Sequence, residues 1–151
     1  MPLRRAKSNG GNKRATIRTK VFIAMPFARR FNPVYEDVIR PALQEIGCNV
    51  DRVDEVYKST PIIRDIELGI QKADIFVADL SERNPNVLYE LGYARGIGRP
   101  LVLITKKIKD VPFDLQHRRC FLYSSSFRGK NKLVEDLQQA VSETRAAHGF
   151  E

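Results

Sequence analysis

Two rhythms alternate along the chain: short unbroken apolar runs, and stretches in which apolar residues recur every three or four positions. Val21-Phe22-Ile23-Ala24-Met25 is a run of the first kind, closed by Pro26. Val34, Val38, Ala42 and Ile46 then fall four apart, which predicts a helix over 33–46, opened by Pro33 and stopped by Gly47. Pro41 lies inside it and predicts a kink, because proline has no amide hydrogen to give the preceding turn. A second strand is predicted over 49–53, ending at Asp54-Glu55, and a second helix over 62–73 through Ile62, Ile66, Gly69 and Ile70. The runs at 75–80, 101–104 and 120–123 predict three more strands, and 130–147 a final helix. Unbroken β-branched runs joined by helices predict an α/β domain with a parallel sheet covered on both faces.

The stretch 73–100 carries the candidate chemistry. An apolar strand ends in Asp79, a polar turn follows, and a helix begins in which Asn84 can cap the first free amides and Pro85 suits the first helical position. Val87, Leu91, Ala94 and Gly98 form one stripe facing the sheet. At about 100° per residue, Glu90 sits roughly 60° to one side of that stripe, bordering the core, and Asn86 one turn earlier can reach its carboxylate. A glutamate on a helix flank is most often a solvated surface residue. Here Asp79, Asn84, Asn86 and Glu90 converge on the carboxyl edge of the sheet, where open α/β folds keep their ligands. A carboxylate beneath an electron-poor carbon can stabilise positive charge or bond to it, and Asp79, Asp54 or Glu55 can supply a proton. Met25-Pro26-Phe27, in the turn after the first strand, predicts an apolar wall for a planar ring.

Charge changes the picture only at the amino end. The 151-residue chain has a formal net charge of +8, but residues 1–20 hold seven basic side chains and no acidic one. Removing those seven from the 26 basic residues leaves 19 against 18 acidic ones. Residues 1–19 therefore read as a disordered basic tail, and 20–151 as the folded domain. Such a tail reads first as a solubilising segment without a partner; the alternative is a weak contact with nucleic acid without sequence preference, since no aromatic ring is there to stack on a base. No apolar run is long enough to span a membrane, and no secretory signal is expected, so the chain reads as cytoplasmic. Cys48 and Cys120 lack paired spacing and read as buried thiols without a disulfide. His117 and His148 stand apart from each other and from any cysteine pair, so neither a metal nor another cofactor is expected.

VFIAMPF followed by a helix and then by ADIFVADLSERNPNVLYELGYARGIGRPLVLI resembles the nucleoside 2-deoxyribosyltransferase family and its wider N-(deoxy)ribosyltransferase-like relatives. The resemblance spans roughly residues 20–123 and is most specific at NPNVLYELGYA. It implies a single flavodoxin-like domain with five parallel strands in the order 2-1-3-4-5. It also implies cleavage or transfer at the bond between a nucleobase and a sugar, with Glu90 in the place of the family nucleophile. The family aspartate that binds a sugar hydroxyl falls nearest Asp65, one residue off the usual spacing to Asp74. Phe22 stands where the family commonly has a tyrosine that holds the nucleophile. The implied partner is a small nucleoside or nucleotide, and relatives complete their sites with a neighbouring subunit, which makes a homo-oligomer an expectation. Ser81 and Glu90 also loosely resemble Toll/interleukin-receptor-like domains, which hydrolyse the nicotinamide bond of NAD or act as scaffolds. A non-catalytic nucleotide sensor is the third reading.

Overall fold

The computed structural model describes residues 18–52 and 63–150. The predicted tail up to residue 17, the end of the second strand at Val53, and the candidates Asp54 and Glu55 lie outside the described residues. Five strands form one sheet: β1 (Lys20–Ala24), β2 (Asn49–Arg52), β3 (Ile75–Asp79), β4 (Leu101–Thr105) and β5 (Cys120–Leu122). Their order is β2-β1-β3-β4-β5 and every pairing is parallel. The fold begins slightly earlier than the charge pattern predicts. Thr19, assigned to the tail from sequence, is buried, and its carbonyl accepts from the Asn49 amide at 2.9 Å.

Alternation along the strands divides the core in two. Val21, Ile23, Ile75, Val77, Val102, Ile104 and Phe121 face one layer of helices, and Phe22, Ala24, Phe76, Ala78 and Leu103 face the other. The first layer holds α1, a helical stretch over 29–45, and α4 (Phe127–His148). The second holds α2 (Ile63–Lys72) and α3 (Pro85–Gly96), with Val111 and Leu115 of the β4–β5 connection closing one side.

The effect of Pro41 takes a specific form. Residues Tyr35–Ile39 run as a π-turn in which the Arg40 amide donates to the Tyr35 carbonyl, five residues back. This widened turn lies directly before the proline, where an ordinary hydrogen-bond ladder would require its missing amide. The helix also starts earlier than predicted, through a 3₁₀ turn at Arg29–Phe31. It ends at Gly47 as expected: φ is +83° there, and the Cys48 amide reaches back to the Leu43 carbonyl at 3.0 Å.

Two helix boundaries differ from the sequence reading. Gly98 is not part of the sheet-facing stripe. It follows α3 with φ +78° and terminates the helix, as its amide bonds the Arg95 carbonyl. The last helix starts three residues early because Ser126 Oγ caps the Gly129 amide at 3.0 Å, and Gly149 ends it in the left-handed region. Cys48 and Cys120 are both free and pack in opposite layers. Among the described residues no helix is long and apolar enough to cross a membrane.

Candidate functional site

The order β2-β1-β3 reverses the direction of chain progression between β1 and β3, so the loops leaving these strands diverge and open a crevice at their carboxyl ends. Met25-Pro26-Phe27 leaves β1 there, and Leu80–Asn84 leaves β3. Asn84 accepts from the amides of Asn86 at 3.0 Å and Val87 at 3.2 Å, and Pro85 occupies the first turn. This cap fixes where α3 starts, and so where Glu90 sits one turn further on. Val87, Leu91 and Ala94 hold the helix on the sheet.

Glu90 is more deeply placed than a helix flank suggests, at 4% exposure. Its side of α3 turns towards α2, as the hydrogen bonds on either side show. Tyr89 donates to Glu67 at 2.7 Å, Gln71 donates to the Tyr93 hydroxyl at 2.5 Å, and Arg99 donates to the Gln71 carbonyl. No hydrogen bond or ion pair reaches the Glu90 carboxyl among the described residues. Burial alone pushes its pKa up from 4.5 to about 7. Asn86, expected to hold this carboxylate, is exposed, and its side chain makes no bond to it. The flank that carries Asn86 opens to solvent at the first turn, whereas Glu90 is covered one turn later.

Asp79 does not share Glu90's surroundings. The pleat directs it to the α1–α4 layer, while α3 covers the opposite face. There it is fully buried and accepts from the Ser81 amide at 3.0 Å, the Ser81 hydroxyl at 2.6 Å and the Tyr123 hydroxyl. Burial raises its pKa; the bonds from Ser81 and Tyr123 and the charge of Lys106 oppose that rise. Asp79 thus ties the end of β3 to the segment after β5, and Ser81 Oγ extends the tie by accepting the Lys106 amide at 3.0 Å.

The remaining candidates occupy distinct places. Met25 and Pro26 are buried, Met25 in the α1–α4 layer, where its sulfur accepts from Arg52 Nη1 at 3.7 Å. Phe27 is 47% exposed and is the member of this triplet that offers ring area to a ligand. Asp65 is half-buried in the first turn of α2. Phe22 stacks on Phe76 with ring centroids 5.8 Å apart, on the face that α3 covers.

Several residues of the carboxyl edge escaped the sequence reading. Glu82 and Arg83 both have positive φ, 64° and 50°, which is uncommon for side chains with a Cβ and marks strain held by neighbours. The neighbours are identifiable. Glu82 pairs with Arg30 of α1, its amide donates to Asp110 at 2.9 Å, and Arg83 donates to the Lys109 carbonyl at 2.6 Å. Arg52 is buried at the end of β2 over the Tyr35 ring, 4.2 Å from its centroid, and donates to Asn32. Tyr123 was legible in principle, since it shares Phe121's parity in the run CFLY and therefore faces the α1–α4 layer. Among the described residues no cluster of histidine, cysteine, aspartate and glutamate could hold a metal ion.

No protein-family model matches the chain, and no curated protein matches it by sequence. Solved structures share its fold. Clostridium botulinum CMP N-glycosidase, BcmB, superposes with a TM-score of 0.59 at 17% identity, covering 80% of this chain and 99% of that one. A 2-desoxiribosyltransferase from Leishmania mexicana gives 0.53 at 18% identity, covering 78% and 97%. A prokaryotic SEFIR domain gives 0.56 at 12% identity, covering 82% and 92%. At these identities the likeness is one of fold.

Proposed function

We propose that the chain binds a nucleoside or nucleotide at the β1–β3 crevice and cleaves or transfers its N-glycosidic bond, with Glu90 as the nucleophile. The observation that carries this is the Glu90 carboxyl itself: buried to 4% exposure, raised to about 7, and without a protein partner among the described residues. A buried carboxyl that the fold leaves unpaired costs stability, and such groups concentrate at functional sites. Departure of a nucleobase builds positive charge at the anomeric carbon, and an adjacent anion stabilises or captures it. A pKa near 7 keeps a substantial ionised fraction at neutral pH, and an approaching cationic sugar favours that fraction further. Asp79 is held by three donors on the other side of the sheet, which supports an anchoring role for it in place of the proton supply that its position in the sequence suggests. Two neighbours in fold are an N-glycosidase and a desoxiribosyltransferase by name, which supports the reading at the level of architecture.

Incubation with nucleosides, nucleoside monophosphates and NAD, followed by chromatography for free base or nicotinamide, tests the proposal. Base release by the wild type and none by Glu90→Gln is the expected outcome. Binding without turnover is the second reading, and Phe22 favours it. Its ring stacks on Phe76 on the face α3 covers and has no hydroxyl to orient the carboxylate, the part the family resemblance gives to a tyrosine. Saturable binding with no free base from any substrate selects that reading.

A further inference from the structure

The positive charge of the folded part is concentrated in the segment that leads from β4 through β5 into α4. Residues 106–130 carry seven basic side chains (Lys106, Lys107, Lys109, Arg118, Arg119, Arg128 and Lys130) against two acidic ones, Asp110 and Asp114. From Arg18 onward the rest of the chain carries 14 basic and 16 acidic residues. Among the described residues, this segment also bears the two most exposed aromatic rings, Phe113 at 85% and Phe127 at 83%. It runs from the end of β4 along β5 to the start of α4, and β5 has no strand on its outer side among the described residues.

Neither ring hangs on a loose end. Phe113 opens a 3₁₀ turn in which the Leu115 amide bonds the Pro112 carbonyl at 2.9 Å, flanked by buried Val111 and Leu115. Phe127 is the first residue of α4, directly after the capping Ser126. A Cβ on Gly129 would fall 1.9 Å from Ser124 Oγ, so only glycine permits this tight entry. At the amino-terminal ends of β4 and β5, a groove of about 430 Å³ between the strands and α4 is walled by Arg118, Arg119, Phe121 and His148, with Glu143 the one acidic residue in its lining. The Arg119 guanidinium lies 4.6 Å from the Phe121 ring centroid, in stacking position.

From this combination we infer that the β5 edge is a docking surface for single-stranded nucleic acid. The net positive segment attracts a phosphate backbone, and rigidly presented rings offer platforms for unpaired bases, which stack without regard to sequence. A duplex hides its base faces, so it can use the charge but not the rings. An acidic peptide likewise satisfies the charge but gives the phenylalanines no planar partner. The inference is independent of the Glu90 reading: Lys106 and Lys109 also touch the turn after β3, but Phe113, Phe127, Arg118 and Arg119, which carry it, do not belong to the β1–β3 crevice.

The test measures fluorescence anisotropy of labelled dT20, rU20 and a 20-base-pair duplex with the full chain, with Phe113→Ser/Phe127→Ser, with Arg118→Gln/Arg119→Gln, and with a chain whose five basic residues at 4–14 are glutamine. Expected is binding of both single strands, weakened at least tenfold by the phenylalanine pair, with duplex affinity unchanged by it. The arginine pair should reduce the steepness of the salt dependence, by about 0.7 for each phosphate that is no longer neutralised. Circular dichroism and the melting temperature establish that each variant folds. Failure of every oligonucleotide to bind overturns the inference. So does binding that the phenylalanine pair leaves intact, or that vanishes entirely with the tail charges. Equally tight, phenylalanine-dependent binding of poly-glutamate assigns the surface to an acidic peptide instead.

Discussion

The Tyr123 hydroxyl donates to the Asp79 carboxyl across the β4 strand that separates their segments, joining the exit of β3 to the residue that follows β5. Both side chains are buried, so this bond is made where an unsatisfied oxygen has no water to turn to. Tyr123→Phe keeps the ring and removes one donor from Asp79. The expected loss is about 1–3 kcal/mol, read by denaturant midpoint at unchanged slope. It also leaves Asp79 with less to offset its burial, so its pKa should rise further. A variant as stable as the wild type would show that Ser81 alone satisfies Asp79.

The strained turn at Glu82 and Arg83 is held from outside. Arg30→Met removes the exposed ion pair with Glu82 and should cost little, because water screens the two charges. Asp110→Ala removes the acceptor of the Glu82 amide, which locks the left-handed conformation, and should cost more. Hydrogen exchange at the amides of 81–84 is the discriminating measurement: faster exchange in Asp110→Ala than in Arg30→Met is expected.

Much of the fold could be read from the chain because its signals are local. Apolar runs, stripes at helical spacing and terminating glycines each determine an element within a few residues. The candidate site was legible in part for the same reason: Asn84, Pro85 and the stripe of α3 locate Glu90 without any tertiary knowledge. What the sequence could not show is which polar groups face one another. Asp79 and Glu90 are close in sequence, yet the pleat and the crossover put them on opposite faces of the sheet. Tyr123, Lys106 and Asp110 reach the turn after β3 only because β4 and β5 stack beside it, and no local pattern encodes that. Asn86 illustrates the limit of helical spacing, which gives an angle around the axis but not what covers that side of the helix one turn on.

Gly129 provides a steric test of how α4 begins. Its φ is unremarkable for any residue, so the constraint is steric overlap rather than backbone: an added methyl would overlap Ser124 Oγ, with the Ser124 carbonyl oxygen only 2.9 Å away. Gly129→Ala ordinarily favours a helix by up to about 1 kcal/mol. Here a net destabilisation is expected, visible as a lower melting temperature, and only partly relieved by adding Ser124→Ala, since the backbone oxygen stays. An increase in stability would mean that the cap yields at no cost.

Glu90 makes the most exacting prediction, because stability and activity should respond to it in opposite directions. Its folded pKa of about 7 lies above the ordinary 4.5, so between these values the folded chain holds a proton that the unfolded chain has released. Stability should therefore fall as pH rises from about 4.5 to about 7, then level off with the carboxylate charged in both states. Glu90→Gln removes this slope. The variant should match the wild type near pH 4.5 and exceed it above pH 7, by up to roughly 3 kcal/mol, the equivalent of a shift of this size. Base release should run the other way, rising in the wild type through about pH 7 as the nucleophile ionises, and falling by several orders of magnitude in Glu90→Gln. Denaturant melts at pH 5 and pH 8, paired with chromatographic rates over the same range, measure both. A Gln variant that is less stable at pH 8 would make Glu90 a structural residue whose charge the fold uses. A rate that is flat across pH 7 in an active wild type would give the nucleophile's role to another group.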